Sequence, residues 1–240
     1  MELMDFSNGF DTLLNSYARE ANFGEAAFNG TVVLDEYEKS QFLTKAQEDI
    51  VIELYTGRNN YRESFETTEE MRRVLSILVK EKYLTPVTDC ENLAGVAENS
   101  RFFTLPEDLW FIIYESVLTC GSKCGNEYNM EVVPIRHDEY NVVRKNPFRG
   151  TNSRRALRLD FPGGGVEIIC KYNINTYYVR YLRRPKPIIL IDLEGDDMSI
   201  HGVSEAINCE LHESLHQRIL ERAVMLALQS RGYATNKENK

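Results

Sequence analysis

The sequence predicts an α+β protein: a helical bundle formed by N-terminal helices and a long C-terminal helix, with an inserted antiparallel β-sheet domain. Three observations predict it. Apolar residues recur at helical spacing at Phe42, Leu43, Ala46, Ile50, Val51 and Leu54, and again at Leu211, Leu215, Ile219, Leu220, Ala223, Val224 and Ala227. Between these stripes lie runs rich in aromatic and β-branched residues. Clusters of Gly, Pro and Asn punctuate the runs. The implied boundaries are a bundle of residues 1–84 and 202–232, a β domain of 85–201 and a flexible tail of 233–240.

Phe10, Leu13, Leu14, Tyr17 and Ala18 predict one short amphipathic helix, followed by an extended connector from Asn22 to Val33. Asp35 reads as an N-cap, with Glu36 and Glu38 in the first turn, where the helix dipole favours acids. Gly57 reads as the residue that ends this helix. Arg58 to Phe65 is a polar loop. Thr67, Thr68, Glu69 and Glu70 make a capping box for a third stripe at Met71, Val74, Leu75 and Leu78, which stops before Pro86.

Strand-like sequence starts at Phe102. Leu109–Thr119 and Met130–Arg136 read as a hairpin, and His137–Arg144 as a turn or short helix. Asn146-Pro147-Phe148-Arg149-Gly150 breaks structure. Ala156–Phe161 and Val166–Tyr172 are joined by Pro162-Gly163-Gly164-Gly165 as a tight hairpin. Tyr177–Leu182 ends at Pro185 and Pro187, and Ile188–Leu193 is a candidate edge strand.

At 42% apolar and 27% charged, the chain has material for a buried core. No apolar run approaches the ~20 residues that span a bilayer, and no secretion signal is evident. Charge is unevenly spread: residues 1–100 hold 19 acids and 9 bases, whereas 144–158 hold six bases and no acid. An overall charge of −9 disfavours a general nucleic-acid binder. The five scattered cysteines argue for a reducing compartment, with Cys120 and Cys124 the only close pair.

His212-Glu213-Ser214-Leu215-His216 matches HExxH, the pattern in which two imidazoles hold zinc and the glutamate deprotonates a bound water. No histidine follows it to complete the ligand set, so we assign no catalytic, cofactor or metal residue. A zinc-dependent hydrolase and a nucleic-acid-binding regulator are the competing functional classes. Stoichiometric metal would mark the first, and a steep salt slope on duplex the second.

Several blocks together carry a resemblance. They are the Asn146-Pro147-Phe148-Arg149 break, the strand ending Tyr181-Leu182-Arg183-Arg184-Pro185-Lys186-Pro187-Ile188, the helix Cys209 to Val224 and the segment Leu34–Asn59. The chain resembles virion structural proteins of crAss-like phages, and more distantly the tail-tube adaptors, or head-to-tail connectors, of short-tailed phages. The resemblance implies a non-enzymatic subunit of a dodecameric ring below the portal, extending the DNA channel and anchoring the tail. It places the protein in the virion, at the head-to-tail junction, after assembly in the host cytoplasm. The implied partners are further copies of itself, the portal protein, other tail ring or hub proteins and the DNA in the channel, with no membrane. Candidate interface residues are Arg144, Lys145, Arg149, Arg154, Arg155, Arg183, Arg184 and His216.

Overall fold

The computed structural model describes residues 1–21, 33–58, 68–87, 100–120, 127–196 and 198–230. The expected connector at 22–32, most of the polar loop before Thr68, Cys124 and the tail lie outside them. The chain divides into two compact units, one of Met1–Ile77 with Pro185–Lys240, the other of Leu78–Arg184.

In the first unit, α1 (Leu3–Ala21) buries Phe6, Phe10 and Leu14, one residue per turn on a single face. It is a 19-residue helix, longer than the short one expected. Helix α2 (Glu36–Thr56) starts at Asp35, which forms a capping box with Glu38. It stops at Gly57, where φ is +73°, a conformation that costs glycine nothing. Helix α3 (Glu69–Leu75) has only seven residues. Helix α5 (His216–Ser230) follows a 3₁₀ turn at Glu213–Leu215. Both α1 and α2 pack on α5, whose buried stripe includes Ile219, Leu220, Ala223, Val224 and Ala227.

Two polar features lie inside this unit. Lys39 is 3% exposed and its ammonium donates to Asp11 at 2.7 Å, Glu36 at 2.8 Å and Ser7 at 3.2 Å. On the same helix, Ser40, Thr44 and Gln47 are buried. They replace a strand partner for the extended segment after Pro185. The amide of Ile188 donates to Thr44 Oγ1 at 3.1 Å, that of Leu190 to Ser40 Oγ at 3.0 Å, and Gln47 donates to the carbonyl of Lys186 at 2.7 Å. The expected edge strand Ile188–Leu193 is therefore not part of the sheet; its one β contact is a bridge from Ile189 to Ile207.

The second unit is a seven-stranded sheet ordered β1-β7-β3-β4-β5-β6-β2. The strands are β1 (Val79–Leu84), β2 (Ser100–Thr104), β3 (Leu109–Cys120), β4 (Glu127–Pro134), β5 (Arg155–Asp160), β6 (Gly165–Ile169) and β7 (Asn173–Arg183). All neighbours pair antiparallel except β4 and β5, which run parallel through a crossover that carries α4 (Tyr140–Lys145). Gly163 and Gly164, at φ +79° and +78°, make the β5–β6 turn. One face of the sheet is a continuous core through Phe103, Val117, Met130, Val166, Tyr177 and Val179. On the other face, α4 buries Tyr140 and Val143 against Leu157, Leu159 and Ile169.

This corrects the expected fold class. The dominant structure is a mixed seven-stranded sheet with few helices, not a helical bundle with an antiparallel insertion. The third stripe accounts for part of the error. It ends as a helix at Leu75, and Val79–Leu84 turns extended to pair with β7. The crossover accounts for the rest, because β5 returns parallel to β4 rather than as the next turn of a meander.

Candidate subunit interface

The connection from α4 to β5 is shaped by its own backbone and by two asparagines. Asn146 Oδ1 accepts from the amides of Phe148 at 2.9 Å and Arg149 at 3.3 Å. Asn152 Oδ1 accepts from the amide of Arg154 at 2.8 Å. The amide of Gly150 donates to the Asn146 carbonyl at 2.8 Å. A Cβ at Gly150 would stand 2.9 Å from that oxygen and 3.1 Å from the Val143 carbonyl, so the turn closes only around glycine. The guanidinium of Arg155 donates to the Phe148 carbonyl at 2.9 Å. The result is a braced loop that holds Phe148 85% exposed.

Around Phe148, the side chains of Arg144, Lys145, Arg149 and Arg154 are exposed and Arg155 is half-buried. Arg149 makes a 3.8 Å contact with Glu139 between two largely solvated groups. The sixth base of the run, Arg158, is not on this surface. It is 8% exposed, donating to Glu115 at 2.6 Å and to Asp160 at 2.8 Å. Tyr177 donates to the other Glu115 oxygen. Burial pushes the Glu115 carboxyl above the usual carboxylate range, against the pull of Arg158 and Tyr177. The Glu115 anion in turn holds Arg158 firmly protonated, against burial's downward push.

The other candidates are separate from the loop. Arg184 lies over the Trp110 ring at 5.7 Å, and its amide donates to the Asp108 carbonyl at 3.2 Å. Asp108 also receives Lys80 at 2.5 Å and Tyr181 at 2.9 Å. Arg183 donates to the Arg184 carbonyl at 3.2 Å. His216 is 5% exposed, so it is a core residue of the helical unit rather than a surface contact. Its Nε2–H donates to the Leu211 carbonyl at 3.0 Å, which leaves Nδ1 to accept from the amino group of Met1 at 3.0 Å.

The HExxH segment does not present two imidazoles on one helix face. His212 lies before the helix, at φ −58° and ψ 141°, and its Nδ1 caps the turn by accepting from the Ser214 amide at 3.3 Å. Both nitrogens of His216 are engaged internally. Among the described residues, no group of three or more His, Cys, Asp or Glu converges on a metal position. No helix among them is long and apolar enough to cross a membrane.

Sequence reasoning missed that Arg158 turns inward and that Phe148 projects. Strand alternation was the available signal for the first, since Ala156 and Arg158 share a face of β5. The Asn146 side chain, poised to cap a turn, was the signal for the second.

The family model for phage tail ring protein 3/4 matches residues 1–239. Ring protein 3 of Bacteroides phage crAss001 is 47% identical over 238 residues, covering 98% of each chain. Ring protein 4/5 of the same phage is 33% identical over 235 residues, covering 95% of this chain and 92% of its own length. The chain belongs to the phage tail ring protein 3/4 family, and it is a structural ring protein of a crAss-like phage tail.

Proposed function

We propose that the chain assembles into a closed, dodecameric homo-oligomeric ring in the head-to-tail connector, under the portal. There it extends the channel through which the DNA passes and anchors later tail components. The observation that carries this reading is the braced basic loop of 144–155, set against a chain of overall charge −9. Ring contacts are heterologous, so one surface of each copy must complement a different surface of the next. The likeness to two ring proteins of one phage, each over nearly its whole length, also fits a stack of rings built on one fold. Arg183 and Arg184, beside Trp110, are secondary contact candidates.

The experiment is assembly of the purified chain, read by native mass and negative-stain microscopy, alone and with the portal protein. Closed rings that bind the portal are expected, weakening as salt rises. Reversing Arg149, Arg154 and Arg155 together to Glu should reduce incorporation into particles. A chain that stays monomeric and is absent from the connector of purified particles would overturn the reading.

A further inference from the structure

The face of the sheet opposite its main core is only half covered. Tyr83 of β1 stands opposite Tyr178 of β7, and Tyr178 opposite Ser116 of β3, so Tyr114, two residues back, shares their face. Through the Ser116–Glu131 and Val133–Leu157 pairs, that face continues onto β4 and β5, where α4 lies. On the β1-β7-β3 half, the tyrosines remain open: Tyr83 is 65% exposed and Tyr114 is 47% exposed. The rings of Tyr83 and Tyr114 flank Tyr178, at centroid distances of 5.0 and 6.1 Å. Three aromatic rings in a row face solvent.

The row ends at a groove. The β3–β4 ladder joins Ser116–Cys120 to Glu127–Glu131. Before it, the two strands line a groove of about 240 Å³ whose walls include Ile113, Tyr114, Val132, Pro134 and Glu131. Its volume is enough for one aromatic side chain, with Ile113, Val132 and Pro134 as apolar walls and Tyr114, Glu131 and Arg158 as polar ones. At its back, Glu115 and Arg158 are already bonded to each other.

The same unit carries a fitting occupant. Phe148 has the highest exposure of any large apolar side chain among the described residues. It is held out by the Asn146 cap and the Arg155 bond, flanked in sequence by Arg144, Lys145 and Arg149, in a run with no acid from 144 to 158. The groove rim offers the exposed carboxylate of Glu131 and tyrosine π faces, which attract cations. Two bases share this face: Arg180 stands opposite Glu81, and Arg155 stands opposite Glu131 but turns its guanidinium to the Phe148 carbonyl.

We propose that the groove and tyrosine row receive the Phe148 loop of a second copy of this chain, with Phe148 in the groove and Arg149 against Glu131. The proposal rests on the ring reading above and names a contact between its copies. Aromatic anchors seated in a pocket with arginine at the rim are the usual energetic centre of an interface.

The test replaces Tyr114 with the photocrosslinker benzoylphenylalanine in a mixture of isotopically light and heavy chains. The expected product joins position 114 of one copy to the Phe148 segment of another. Phe148→Ser should weaken ring formation tenfold or more, the scale of losing about 1.4 kcal/mol. Glu131→Arg and Arg149→Glu should each weaken it, and the two combined should recover assembly. Helix circular dichroism and Trp110 fluorescence identify any variant that fails to fold. Rings that form normally but crosslink position 114 elsewhere, or only within one copy, overturn this interface and leave the ring reading standing. Absence of rings from the unmodified chain overturns both.

Discussion

Lys39 and Arg158 are both buried cations, each holding two carboxylates, one in each unit of the molecule. Their surroundings differ. The acids of Lys39 reach water, with side-chain exposures of 42% for Asp11 and 31% for Glu36. Of the acids of Arg158, Asp160 is 62% exposed but Glu115 only 8%, and Glu115 also accepts from Tyr177. If Lys39 is lost, water can rehydrate its partners. If Arg158 is lost, Glu115 is left with little water and the Tyr177 hydroxyl, and its carboxyl is pushed further towards the protonated form. The charge inventory is the same, so burial of the partner, not of the cation, sets the cost of disruption.

The largest effect should come from Arg158→Met, a loss of about 3–5 kcal/mol, the scale for leaving one member of a buried ion pair unpaired. Denaturant unfolding followed by fluorescence of Trp110, the one tryptophan and a residue of β3, reads it directly. Adding Glu115→Gln should return most of the loss. A double variant as unstable as the single would show that shape, not charge, holds this centre. Lys39→Met should cost less, about 1.5–3 kcal/mol, the range for hydrogen bonds to charged groups. Circular dichroism of the helices is the readout, and a loss exceeding that of Arg158→Met would break the comparison.

A pH titration sharpens it further, with smaller effects of opposite sign. Burial lowers the affinity of His216 for a proton, and the Met1 amino group adds to this, against the bond to the Leu211 carbonyl. The unfolded chain therefore takes up this proton first. His216 contributes stability that is lost as pH falls from about 6.5 through the lower folded value. For Glu115, burial raises the folded value. Its contribution is fully present below about pH 4.3 and is lost as pH rises through the folded value. Mild acid should thus weaken the helical signal, in a manner removed by His216→Gln, while the Glu115 contribution to the Trp110 signal moves the other way. Parallel movement of both signals would contradict these assignments. The smallest effect is expected at Arg144→Ala, within about 0.5 kcal/mol of the parent, as for ordinary surface positions.

Helix α2 was legible because three signals coincide in its sequence: the Asp35 cap, the apolar stripe and Gly57. The β3–β4 and β5–β6 pairs were legible because each is a local hairpin. Strand β1 was not. Its sequence follows a helical stripe without a break, and four of its six residues are exposed, so no buried alternation marks it. Its partner β7 starts 89 residues after β1 ends, from Leu84 to Asn173, and no local pattern encodes such a pairing. The same distance effect hid the site. Arg158 reads as one of six bases because the acid that draws it inward lies 43 residues away. The Ser40, Thr44 and Gln47 stripe carried no signal, since nothing nearby announces that a later segment needs donors and acceptors.

That β7 lies between β1 and β3 has a consequence for synthesis. Strands β1 and β3 leave the ribosome well before β7, and neither has its shared neighbour until residue 183 is made. At roughly 5–20 residues per second, the wait lasts several seconds. The helical unit waits longer, because α1 and α2 dock on α5, which ends at Ser230. The sheet therefore closes only after Arg183 is made, and the helical unit only after Ser230. A nascent chain carries unfinished surfaces throughout that interval, and holdase chaperones should meet it there. The same delay keeps a half-made subunit from competing for a place in the virion.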